Sequence, residues 1–159
     1  MTISMFKRQR ADERDAQVVH HWMSSPALTI APDTCVSEAL ALMHEHSIRR
    51  LPVVTAEGML CGMITDGDIR GADVLHATGL DMREIAGALQ RTSVCDVMSK
   101  SPVAVLPDAT LREVALLMLD LKVGGLPVVN AERAVVGIVT ESDLFEALVC
   151  YLDLAVTPA

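Results

Sequence analysis

Thr65-x-x-Asp68 and Thr140-x-x-Asp143 are the residues of this chain best suited to chemistry. Each pair follows a short apolar run, Gly62-Met63-Ile64 or Gly137-Ile138-Val139, and precedes a helical pattern, which places it where a strand ends and a helix begins. There the first backbone N–H groups lack partners and the helix dipole favours an anion. A Thr hydroxyl at that point can donate to a phosphate, and a carboxylate one turn later can accept from the two vicinal hydroxyls of a ribose. The same spacing is also a variant of the capping box, in which the pair only satisfies orphan N–H groups. Spacing alone leaves both readings open. Arg49-Arg50 offers a second chemistry, because the guanidinium carries a permanent charge and a fixed fork of donors that suits phosphate. The bland alternative is a solvated basic pair or a salt bridge to an acidic surface.

Nothing in the chain pairs a nucleophile with a base. G-x-S-x-G, H-E-x-x-H, G-x-x-x-x-G-K-[ST] and G-x-G-x-x-G are all missing from the sequence. His44 and His46 stand two apart on a helix and point in different directions, and His20-His21 has no Cys or carboxylate at zinc spacing. The expectation is therefore no catalytic residue, no metal and no enzyme activity.

Composition narrows the classes further. A chain of 159 residues with formal charge −8 repels a nucleic-acid backbone on average, and one Trp, one Tyr and two Phe offer few stacking platforms. No stretch reaches the roughly 18 uninterrupted apolar residues of a membrane span, and Met1–Gln17 lacks the apolar run of a signal peptide. Cys35, Cys61, Cys95 and Cys150 show no C-x-x-C pairing and lie in apolar, patterned segments, so they read as reduced core residues of a cytoplasmic protein. The methionines read as packing.

The elements that must position the Thr and Asp pairs come in duplicate. Residues 23–70 lie over 98–145 at a constant shift of 75 positions without a gap, and 16 of the 48 aligned positions are identical. In each copy an amphipathic helix is expected first, carried by Val36, Ala39, Leu40 and Met43 or by Leu111, Val114, Ala115 and Met118, the second with a Thr110/Glu113 capping box. A hairpin follows, Leu51–Val54 with Leu60–Thr65 or Leu126–Val129 with Ala134–Thr140, and then a second helix after each Thr. Pro52 confines its strand to an edge or a first position. The resulting division is a charged lead-in over 1–17, one repeat over 18–70, a helical connector over 71–95, a second repeat over 96–154 and a tail over 155–159. Leu116–Leu119 and Leu144, Phe145, Leu148, Val149 and Leu152 are apolar on more than one helix face, which fits either a larger internal core or a homodimer.

The Leu-Pro-Val-Val segment, followed about ten residues later by Gly-x-x-Thr-x-x-Asp and present twice, resembles the cystathionine-β-synthase (CBS) domain. The resemblance covers both repeats. It implies an α/β fold of two β-α-β-β-α units packed with pseudo-twofold symmetry, and a regulatory module that binds an adenosine-containing ligand such as AMP, ADP, ATP or S-adenosylmethionine. It also implies two clefts, each taking its Thr and Asp from one repeat and its base-side wall from the other. One would use Thr65 and Asp68 with Pro102, Val103, Val123 and Gly124, and the other Thr140 and Asp143 with Ala27, Leu28, Ile48 and Arg50. Arg49 would serve the Asp68 cleft and Arg50 the Asp143 cleft. Repeat 2 has Gly124-Gly125 where repeat 1 has Arg49-Arg50, so the clefts differ in charge. A homodimer and an effector protein that reads the ligand state are the implied partners. The alternative is a ligand-free structural module for dimerisation.

Overall fold

The computed structural model describes residues 17–72 and 81–156. Almost all of the expected lead-in, the 73–80 part of the connector and the last three residues lie outside this range.

In repeat 1, α1 (Val36–Glu45) turns Val36, Ala39 and Met43 inward as its period requires. The hairpin of β1 (Arg50–Val54) and β2 (Leu60–Thr65) runs antiparallel from Arg50 opposite Thr65 to Val53 opposite Gly62, with a bulge before Val54. Helix α2 (Asp66–Gly71) follows at once. The connector holds α3 (Met82–Arg91), capped by Asp81 and Glu84, and α4 (Val94–Val97). Repeat 2 contributes β3 (Ser99–Lys100), α5 (Leu111–Leu121), β4 (Gly125–Val129), β5 (Val135–Thr140) and the long α6 (Glu141–Val156). Its hairpin copies the first, Gly125 opposite Thr140 to Val128 opposite Gly137, down to a bulge before Val129. The Thr110/Glu113 capping box forms as the sequence implies.

The two hairpin turns reach one geometry by different means. Gly58 takes φ +79°, which costs glycine nothing, while its counterpart Arg133 takes φ +65°. Asn130 offsets that strain, since its side-chain oxygen accepts from Glu132 N and Ala134 N and so braces the turn. Pro52 sits mid-strand at no cost to the ladder. Ile30 lies parallel to β1, donating to the Pro52 carbonyl and accepting from Val54 N, so the N–H that proline lacks has no bond to make. Val105 and Pro127 repeat the arrangement.

The repeats exchange their leading segments. Ser24 lies in the leading segment of repeat 1 yet pairs with Ile138 of β5, while Ser99 and Lys100 lie in the leading segment of repeat 2 yet pair with Met63 and Gly62 of β2. A turn over Val19–His21 donates from Val19 N to the Ala109 carbonyl, and Val94 N donates to the Thr34 carbonyl at the symmetric place. Gly62 and Gly137 make room for the exchange. A Cβ on Gly62 would strike Met98 Sδ, and one on Gly137 would lie 2.7 Å from Met23 Sδ and 2.9 Å from the Ser24 carbonyl oxygen.

The two cores match at six positions. Ile30, Ala39, Met43, Leu51, Val53 and Ile64 build the first, and Val105, Val114, Met118, Leu126, Val128 and Val139 the second. The crossing is seen in Val94, which completes the first core, and Val19, which completes the second, with Met98 and Met23 packed against them in the same crossed sense. Cys35, Cys61 and Cys95 are half-buried, whereas Cys150 is exposed on α6, and Met82 is exposed on α3. Those two depart from the core reading because each lies on the exposed face of its helix.

Candidate functional site

Each Thr and Asp pair is built by the strand-to-helix junction. At the β2–α2 junction the Thr65 backbone N–H and hydroxyl both donate to Asp68 Oδ2, at 2.8 and 2.7 Å, and Thr65 Oγ1 accepts from Asp68 N at 3.1 Å. At the β5–α6 junction Thr140 N and Oγ1 donate to Asp143 Oδ2 at 2.7 and 2.9 Å. The capping reading is therefore realised, and it fixes both carboxylates. The bonds of Asp68 among the described residues fall on Oδ2, so Oδ1 remains open to a ligand hydroxyl.

The larger cleft, about 840 Å³, opens between the repeats. Thr65, Asp68 and Arg49 from repeat 1 face Pro102, Val103, Val123 and Gly124 from repeat 2, so every residue expected at this cleft is brought together. Val103 and Val123 are exposed on its wall, an apolar surface of the kind a flat ring covers. The smaller cleft, about 440 Å³, joins Ala27, Leu28, Ile48 and Arg50 to Thr140. Asp143 does not line it directly and instead holds Thr140.

Residues outside the sequence-based set also shape the clefts. Arg70 and Lys122 add positive charge to the larger one, and Arg70 is tied to Asp66 at 2.8 Å. Lys122 closes α5 in the left-handed region at φ +57°, as Ser47 closes α1 at φ +53°. Glu141, the first residue of α6, lines both clefts. An acidic residue directly after Thr in both copies was the signal for it. The expected assignment of one arginine to each cleft is replaced by a shared pair, since Arg49 and Arg50 line both. Arg50 is half-buried, and burial, then Arg49, push its pKa down from the ordinary guanidinium value while Glu141 pushes it back up. Among the described residues no group of three or more His, Cys, Asp or Glu is placed to hold a metal ion. None of the described helices is long and apolar enough to cross a membrane.

Two duplicated α/β units, crossed at their leading segments and enclosing a cleft between them, define a tandem-repeat module. The CBS domain family matches residues 18–75 and 94–150, and the chain belongs to that family. It is 35% identical over 136 residues to a CBS domain-containing protein of Dictyostelium discoideum, an alignment that spans 86% of this chain and 94% of the relative. Among solved structures it is similar to the CBS domain pair of protein MJ0100 in complex with 5′-methylthioadenosine and S-adenosyl-L-methionine, with TM-score 0.66 and 29% identity over 82% of this chain and 98% of that one. It is also similar to CBSX2 in complex with AMP, with TM-score 0.71 and 27% identity over 86% of this chain and 98% of that one. CBSX2 comes from Arabidopsis thaliana.

Proposed function

We propose that this chain is a regulatory module that binds an adenosine-containing ligand, AMP, ADP, ATP or S-adenosylmethionine, in the clefts between its repeats. The observation that carries the reading is the make-up of the larger cleft. It sets the fixed Asp68 carboxylate opposite an apolar wall of Val103 and Val123, with Arg49 and Lys122 on the same lining. Carboxylate for ribose, apolar wall for base and cations for phosphate are the three recognitions an adenine nucleotide needs. The ligands bound by MJ0100 and by CBSX2 support this reading. A ligand that prefers one arrangement of the repeats shifts the population toward it, and an effector protein reads that shift. A homodimer accompanies the function, seated on the apolar face of α5 and α6, where Leu119, Phe145, Leu148, Val149 and Leu152 are exposed.

A thermal-shift panel with AMP, ADP, ATP and S-adenosylmethionine tests the proposal. A ligand at about 100 times its Kd adds roughly 2.7 kcal/mol, which is about 5–10 °C for a chain of this size. Asp68→Asn keeps an acceptor oxygen for the cap and is expected to reduce the ligand-dependent increment in Tm. No shift with any of the four ligands sinks the proposal and favours a ligand-free dimerisation module.

A further inference from the structure

The two clefts meet on a common wall formed by Arg49, Arg50, Gly124 and Glu141. Repeat symmetry sets Gly124 and Gly125 opposite Arg49 and Arg50, and the Arg50 side chain lies where the missing side chains of repeat 2 would stand. A Cβ on Gly125 would run into Arg50 Nη1, and one on Gly124 would lie 2.9 Å from Arg50 Nη2 and 2.7 Å from Glu141 Oε2. Among the described glycines only Gly58 has positive φ, so what Gly124 and Gly125 supply is room for the Arg50 guanidinium and not a special backbone conformation. The arginine pair of one repeat and the glycine pair of the other are two halves of one fit. They hold a single half-buried guanidinium on the boundary between two clefts.

We propose that Arg50 is a shared anion-binding residue that makes the two clefts compete for phosphate-bearing ligands. The inference rests on the adenosyl-ligand reading above. A guanidinium forms its strongest contact as a two-pronged fork on one anion and cannot present that fork to two at once. When a phosphate in one cleft draws Arg50 toward it, the other cleft keeps the Glu141 carboxylate with less positive charge beside it, and that carboxylate repels a second phosphate. The effect is reciprocal, since each ligand weakens the other by the same factor. The first phosphate goes to the larger cleft, where Lys122 adds a cation to the shared arginines and Arg70 is tied to Asp66; the smaller cleft has Arg49, Arg50 and His46. An uncharged ligand makes no demand on Arg50 and fills the two clefts independently.

Isothermal titration of the full chain with AMP and with adenosine tests this. Val103→Trp fills the larger cleft from a wall residue that does not line the smaller one, and so exposes the AMP affinity of the smaller cleft alone. The expected result is that the second AMP step of the wild-type chain is roughly tenfold or more weaker than that isolated affinity, within the usual range of coupling between sites. Adenosine should show no such difference, and Arg50→Met should abolish the difference for AMP. Should Arg50→Met fail to fold, Gly125→Ala serves the same arm, because its methyl displaces the guanidinium. Equal second-step and isolated affinities, a second step tighter than the isolated one, or a smaller cleft that takes no AMP in Val103→Trp each overturn the competition while leaving the ligand reading in place. Absence of binding by AMP and adenosine to every variant overturns the competition, and absence of binding by ADP, ATP and S-adenosylmethionine as well overturns the ligand reading too.

Discussion

Val19 stands near the start of repeat 1 but belongs to the core of repeat 2, where it is fully buried with Val105, Val114 and Met118. Val19→Ala removes two methyl groups from that core. At about 0.8 kcal/mol per buried carbon plus a term for the cavity left behind, the cost is about 2–3 kcal/mol. For a chain of this length that lowers Tm by about 5–10 °C. The decisive readout is local. Hydrogen exchange followed by mass spectrometry should show the loss of protection in α5 and β5, while α1 and β1 change less. Val94→Ala should give the mirror image, loosening α1 and β1 from a position just before repeat 2. Protection lost from α1 and β1 in Val19→Ala would refute the exchange of segments, whatever the change in Tm.

Two further outcomes follow from surfaces and caps. If the proposed homodimer seats on the exposed apolar stripe of α6, Phe145→Glu combined with Leu148→Glu converts it to monomer in sedimentation experiments, with at least roughly hundredfold weaker association from the burial lost; a dimer indifferent to both changes excludes that face, and a monomeric wild type excludes the dimer. The Thr110 N–H and hydroxyl hold the Glu113 carboxyl below its usual pKa. A depressed carboxylate stabilises fully above the unfolded-state value near about 4.3 and loses its contribution as pH falls through the lower folded value. The Tm advantage of the wild type over Glu113→Gln should therefore shrink below about pH 4, and an advantage constant from neutral to acid pH refutes this account.

The 75-residue period carried most of this architecture into the sequence. Short β-branched and apolar runs around turn residues marked the hairpins, helical spacing marked α1 and α5, and Thr-x-x-Asp marked both junctions, because each of these signals is local. The exchange of leading segments was illegible for a physical reason. In a duplicated chain Ser24 meets nearly the same chemistry at Met63 as at Ile138, so residue types cannot choose between pairing within a repeat and pairing across. The shared arginines were hidden likewise. Their placement on both clefts depends on side-chain reach across the boundary, and the clue, two glycines opposite two arginines, read only as a difference in charge. Lys122 escaped notice because its position follows from a left-handed helix end that its residue type does not announce.

The crossed segments also constrain how the chain can fold. Ser25 Oγ donates to the Val136 carbonyl 111 positions away, and Ser24 pairs with Ile138 beside it. Closing so long a loop costs entropy before any contact is gained, and folding slows as the mean separation of contacts grows. The hairpins and their helices are close in sequence and can form early; the core of repeat 2 stays unsealed until Val19 arrives from the far end of the chain. A half expressed alone would present a core with its last residue missing.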